Sequence, residues 1–156
     1  MVQDKVLQKA KNNAYILLRS RPRSVREVIE RLKLKGYIEE VIGEVVASLM
    51  KTGDLDDERF ARFWVESRMH TNPVGDVILR HELSSKGIAE PTIDMVLSEK
   101  ASAYDEHELA FSIARERYDR LKKLDKRKAA KRLYDFLARR GFKFDVIKRI
   151  IGELGQ

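Results

Sequence analysis

Apolar residues recur along this chain at helical spacing, and no segment alternates as a strand would. Three segments share the offsets 0, 3, 4, 7: Ala14-Leu17-Leu18-Arg21, Ala61-Trp64-Val65-Arg68 and Ala110-Ile113-Ala114-Arg117. Each predicts a helix with one apolar stripe and an arginine near its end. Downstream, "ERLKLKGYIEEVIGEVV", "HELSSKGIAEPTIDMVL" and "DFLARRGFKFDVIKRII" follow a second rule. Each has Leu, three residues, Gly and a large apolar residue: Leu32/Gly36/Tyr37, Leu83/Gly87/Ile88 and Leu137/Gly141/Phe142. Glycine tolerates the left-handed backbone just past a helix end, and the flanking apolar pair is spaced as the hydrophobic clasp of a Schellman ending. Lys35, Lys86 and Arg140 precede the glycines, where a cation complements the helix C-terminus. Isoleucine stands six residues beyond each glycine (Ile42, Ile93, Ile147), and two aliphatics follow at nine and ten, which marks another amphipathic helix.

The unit is therefore helix, connection, helix, glycine turn, helix. Its glycines lie 51 and 54 residues apart, a period suited to stacked helical modules. The expected fold is all-α, an elongated tandem array of three three-helix modules at 1–53, 54–103 and 104–156. From the offset-7 arginine to the glycine the distance grows from 15 to 19 to 24 residues. That growth predicts extra length between the first two helices of a unit and the longest leading helices in the third.

"GDLDDERFARFW" (residues 53–64) raises the question of chemistry. Clustered carboxylates grip metals or move protons, but they also open helices. Gly53 closes one module, so Asp54 or Asp56 falls at an N-cap, and Asp57 and Glu58 fall in a first turn, where negative charge is favoured. The alternation, central glycine and distal glutamate of a calcium loop are missing. His70, His81 and His107 are scattered, and no phosphate loop or nucleophile elbow occurs. The sequence points to no enzyme, no catalytic residue, no metal and no cofactor.

Composition narrows the class. The 156 residues include no cysteine, which excludes disulfides and thiolate chemistry, and no apolar run is long enough to span a membrane. The N-terminus lacks an apolar signal region, so a cytoplasmic protein is expected. A net charge of +7 is unevenly spread: +5 over residues 1–52, −4 over 53–100 and +6 over 101–156. Basic ends around an acidic middle predict a negatively charged partner.

"KTGDLDDERFARFWVESR" with "GDVILRHELSSKGI" resembles the RecX family of regulatory proteins. The residues that carry the likeness are Leu55, Asp56, Asp57, Arg59, Phe60 and Ala61, then Gly75, Glu82, Leu83, Lys86, Gly87 and Ile88. Most of these read as structural. The opening "LLRSRPRSVREVIERLKLKGY" is also similar to that family, and the likeness spans nearly the whole chain, weakest in the third unit. The resemblance implies a modulator that binds the RecA protein filament on single-stranded DNA, touching DNA directly or through RecA; a monomer is expected. It implies inhibition of strand exchange, ATP hydrolysis and coprotease activity. Asp76 and Ile78 stand where family members often carry basic residues, which implies a smaller contribution from the middle unit.

Two basic tracts are the candidate contacts. The first is Arg19, Arg21, Arg23 and Arg26 around a proline turn. The second holds Arg120, Lys122, Lys123, Lys126, Arg127, Lys128, Lys131 and Arg132, of which Arg120, Lys123, Arg127 and Lys131 follow helical spacing as one stripe. Such a stripe suits phosphates or an acidic protein groove; the bland alternative is a solvated face. Tyr118 and Tyr134 flank the tract and could stack on bases, but burial of one ring edge with the hydroxyl outward is the expected arrangement of both. A sequence-specific repressor fits less well, because the third helices of the first two units carry Glu39, Glu40, Glu44, Glu90, Asp94 and Glu99. An adaptor built of helical repeats, or a sequence-independent nucleic-acid binder that does not involve RecA, is the remaining alternative.

Overall fold

The computed structural model describes residues 1–156 and consists of nine α-helices with no strand. They are α1 (Val2–Ser20), α2 (Val25–Leu34), α3 (Glu39–Lys51), α4 (Asp57–Thr71), α5 (Asp76–Ser85), α6 (Glu90–Ala103), α7 (Glu106–Leu121), α8 (Lys126–Arg139) and α9 (Phe144–Leu154). The helices follow the helix–helix–glycine–helix order three times over, as tandem three-helix domains. By compactness the chain divides into two units, one of residues 1–64 with 83–93 and one of residues 65–82 with 94–156.

The repeated endings have a common cause. Gly36, Gly87 and Gly141 take φ of 92°, 81° and 83°, which a side chain would disfavour. In the first, the Tyr37 amide donates to Leu32 O at 3.2 Å and the Gly36 amide to Lys33 O at 2.9 Å. The same pair of bonds joins Ile88 to Leu83 and Gly87 to Ser84, and again Phe142 to Leu137 and Gly141 to Ala138. These are Schellman endings, and they satisfy carbonyls that the helix would otherwise leave open.

In the first unit α1 packs on α2 and α3 through Ala10, Ala14, Val28, Leu32, Val45 and Leu49, all fully buried. Small residues on α1 let the helices approach, while the branched and long aliphatics opposite fill the space. Each such large side chain contributes about 1.5–3 kcal/mol by leaving water. The second unit repeats the scheme: α7 offers Ala110 and Ala114 to Leu133, Leu137, Ile147 and Ile150 of α8 and α9.

One expectation about length needs correcting. All three connections between first and second helices are four residues (21–24, 72–75 and 122–125). The added spacing lies inside helices. α1 ends just before Arg21, whereas α4 and α7 continue past Arg68 and Arg117, and α8 is 14 residues long against 10 for α2 and α5. The longest leading helix is α1 with 19 residues, not α7 with 16. The cause is that the apolar stripe of α1 begins well upstream of its repeat, with Leu7 packed on the core.

Candidate polyanion-binding surface and its ion-pair framework

The acidic stretch before α4 is used locally. Asp56 accepts the amides of Glu58 (2.9 Å) and Arg59 (3.2 Å), an N-cap for α4. Asp54 accepts from the Thr52 hydroxyl at 2.6 Å, and Arg59 donates to Gly53 O at 2.7 Å. Asp57 reaches back to accept the amide of Val25, the first residue of α2, at 2.9 Å. Burial raises the Asp57 carboxyl above its ordinary value, and that backbone bond opposes the rise. Phe60, Ala61, Leu83 and Ile88 are buried. Glu82 takes a two-pronged ion pair from Arg68, whose Nε lies 3.1 Å from Oε2.

The first basic tract converges on one carboxylate. Arg21 Nη2 stands 2.9 Å from Glu27 Oε2, and Arg23 Nη1 is 3.7 Å from the same oxygen. Lys86 Nζ approaches Oε1 at 3.3 Å, as an ion-pair partner rather than in hydrogen-bond geometry, and also stands 5.3 Å from the centre of the Trp64 ring. Arg23 further donates to Ser20 Oγ and Leu17 O. Its guanidinium is drawn below its ordinary value by burial, then by Arg21. Ser24 caps α2 by accepting the Glu27 amide at 3.2 Å. Arg26 is exposed and packs against the Gly87 turn: a Cβ there would lie 2.7 Å from its Nε. Arg19 is exposed and makes no polar contact, beside a surface hollow lined by Tyr15, Ile16 and Arg59.

The second tract is arranged otherwise. Arg120 and the residues after it do not form one stripe, because α7 ends at Leu121 and α8 begins at Lys126. Lys122 and Lys123 sit in the connection, and both are exposed. Lys126, Arg127, Lys128, Lys131 and Arg132 occupy the first two turns of α8, all exposed and none in an ion pair. The N-cap, Asp125, makes no side-chain bond to the helix, and no acid stands in the first turn. Cations there oppose the helix dipole, so this charge set weakens α8 while concentrating positive potential at its start. Tyr118 lies in a small hollow with Lys126, Ala130 and Leu133, and Tyr134 meets Phe144 edge-on with centroids 6.1 Å apart.

A third group of cations surrounds Phe136. Arg117 and Arg140 stand over its ring with Cζ 5.0 and 5.1 Å from the centre. The Gly75 amide donates to Arg140 O at 2.7 Å, and a Cβ on Gly75 would run into Gly141 O. That glycine lets the α4–α5 connection lie on the Gly141 turn, so Asn72 Oδ1 and Pro73 O accept from Arg140. The resulting cavity of about 280 Å³ is lined by Asn72, Ile113, Arg117, Arg120, Phe136 and Arg140, among others. In the sequence Arg117 and Arg140 stand out only as helix-ending residues; the repeat marks the positions but carries no sign that they meet. Asp76 and Ile78 are also accounted for. Asp76 pairs with the buried Lys100 at 2.7 Å, and Ile78 packs on the Gly141 turn.

Comparison with known proteins gives one family throughout. The first, second and third three-helix domains of RecX match residues 10–49, 56–97 and 104–151. The regulatory protein RecX of Chlorobium phaeobacteroides (strain BS1) is 35% identical over 147 residues, with 94% of each chain covered. That of Amycolatopsis mediterranei (strain U-32) is 33% identical, over 95% of this chain and 86% of the relative. The crystal structure of RecX from Lactobacillus salivarius superposes with a TM-score of 0.82 at 24% identity, covering 95% of this chain and 96% of that one, which speaks to the fold. These relatives are named as regulatory proteins. No helix of the chain is long and apolar enough to cross a membrane.

Proposed function

This chain belongs to the RecX family of regulatory proteins, and from that premise we propose that it regulates the RecA filament on single-stranded DNA without catalysing a reaction of its own. The observation that carries the reading is the start of α8. Five exposed, unpaired cations occupy the first two turns of this helix, three of them in the first turn, where acids would stabilise the fold. A surface that opposes its own helix in this way suits a polyanion, whose phosphates would replace the missing countercharge.

The modules, taken as 1–53, 54–103 and 104–156, act as one monomeric ligand of the filament in the cytoplasm. Lys126, Arg127, Lys128, Lys131 and Arg132 engage phosphates of the bound strand or acidic RecA side chains, and Arg19 adds a contact from the first module. The Glu27 and Glu82 ion pairs hold their arginines within the fold and contribute shape rather than contact. Contacts that cross a RecA subunit boundary block addition of the next subunit or restrain the changes that accompany hydrolysis, so both strand exchange and ATP turnover fall.

The test is to add the protein to RecA on single-stranded DNA and follow ATP turnover and strand exchange. Inhibition at amounts below one per RecA is expected, weakening as salt rises. Unaltered rates at equimolar protein would defeat the reading.

A further inference from the structure

The offset-7 arginine of each repeat has a different fate in the third module. Arg21 pairs with Glu27, and Arg68 pairs with Glu82. Glu82 stands five residues before Gly87; the residue five before Gly141 is Phe136. Arg117 therefore meets a ring where Arg68 meets a carboxylate. It makes no hydrogen bond and no ion pair, and its guanidinium carbon stands over the ring 5.0 Å from the centre. A ring attracts the charge of a guanidinium without taking up its N–H donors. Arg140 shares the ring from 5.1 Å, and Arg120 lines the same cavity with Glu116 3.5 Å away as a solvent-exposed partner. Asn72 accepts from Arg140 through Oδ1, so its amide NH₂ is left to donate.

From this geometry we infer that the cavity bounded by Asn72, Arg117, Arg120, Phe136 and Arg140 is a phosphate-binding site. Three guanidinium groups against the single carboxylate of Glu116 leave two positive charges uncompensated in one concavity. That matches a phosphate monoester, or two successive phosphodiesters, better than one carboxylate. The volume of about 280 Å³ takes a phosphoryl group and its adjoining sugar rather than a whole nucleotide. Forked donors on Arg117 suit paired oxygens, and the Phe136 ring fixes the fork before the ligand arrives. The site is separate from the α8 cations and holds whether or not the protein acts on RecA.

A backbone phosphate and a free nucleotide share this chemistry, and the experiment separates them. The arginine Nε–Hε resonances of ¹⁵N-labelled full-length protein are followed during titration with unphosphorylated oligo(dT), ATP, inorganic phosphate and poly-glutamate, with no RecA present. Saturable shifts of Arg117, Arg120 and Arg140 are expected with oligo(dT), and weaker ones with phosphate. Shifts confined to ATP and phosphate would assign the site to a free phosphate compound and still support it. The Arg117→Gln, Arg120→Gln double variant should bind oligo(dT) roughly tenfold more weakly at low salt, and its salt slope should drop by about 0.7 for each phosphate it no longer neutralises. A charge-matched Lys5→Gln, Lys9→Gln control should be weakened much less. Silent arginine signals with every phosphate ligand, an equal response to poly-glutamate or, where oligo(dT) shifts these arginines, equal weakening in variant and control would overturn the inference. Failure of RecA inhibition with these shifts intact would fault the regulatory reading alone.

Discussion

Two groups of cations in this protein look alike in sequence and are built around opposite centres. Arg21, Arg23 and Lys86 surround the carboxylate of Glu27, and Arg117 and Arg140 surround the ring of Phe136. A carboxylate neutralises its cations and occupies their donors. A ring attracts them without cancelling their charge, and the donors of Arg117 stay open. The first centre is therefore a fastening that ties α2 to the Gly87 turn. The second is a preorganised receptor. Counting Lys and Arg along a chain cannot separate the two, because the deciding residue is the one at the middle.

The largest effect should come from removing the first centre. Glu27 is only 12% exposed, so Glu27→Ala would leave three cations crowded without their anion. A destabilisation of about 3 kcal/mol is expected, read by denaturant melts. A value under about 1 kcal/mol would mean that the cluster relaxes into water and is no fastening. Next comes a swap of centres. Phe136→Glu gives Arg117 the partner that Arg68 already has. It should abolish the phosphate response while costing about 1–2 kcal/mol for the half-buried ring, offset in part by the new ion pair. Phosphate binding that survives the swap would break the comparison. The smallest change in stability, and the one of opposite sign, is expected at α8. Lys126→Glu with Lys128→Glu puts acids where the helix dipole favours them and should raise stability by about 0.3–1 kcal/mol per site. The same variant should inhibit RecA less. A destabilised protein, or one that inhibits fully, would show that these lysines support the fold and not the filament.

The fold was largely legible because its rules are local. Gly36, Gly87 and Gly141 with their clasping leucines announce three helix endings, and the backbone bonds at each follow from steric freedom and unmet carbonyls. The proposed binding surface was legible only in part. Lys126 to Arg132 stand out as a run and remain exposed at their cations, whereas the stripe continuing from Arg120 and Lys123 is interrupted by a four-residue connection. Arg21 and Arg23 stand out equally and are turned inward to Glu27. Arg117 and Arg140, 23 positions apart, carry no signal that they share a ring.

By itself the sequence determined the all-α class, the threefold repeat, the helix stops and the family, since each depends on residues within a few turns of one another. Tertiary structure alone decided which cations are neutralised and which stay open. Charge is a property of a residue, but availability depends on what chain folding places against it. The absent Cβ of Gly75, the ring of Phe136 and the carboxylate of Glu27 settle that here across distances that no local pattern records.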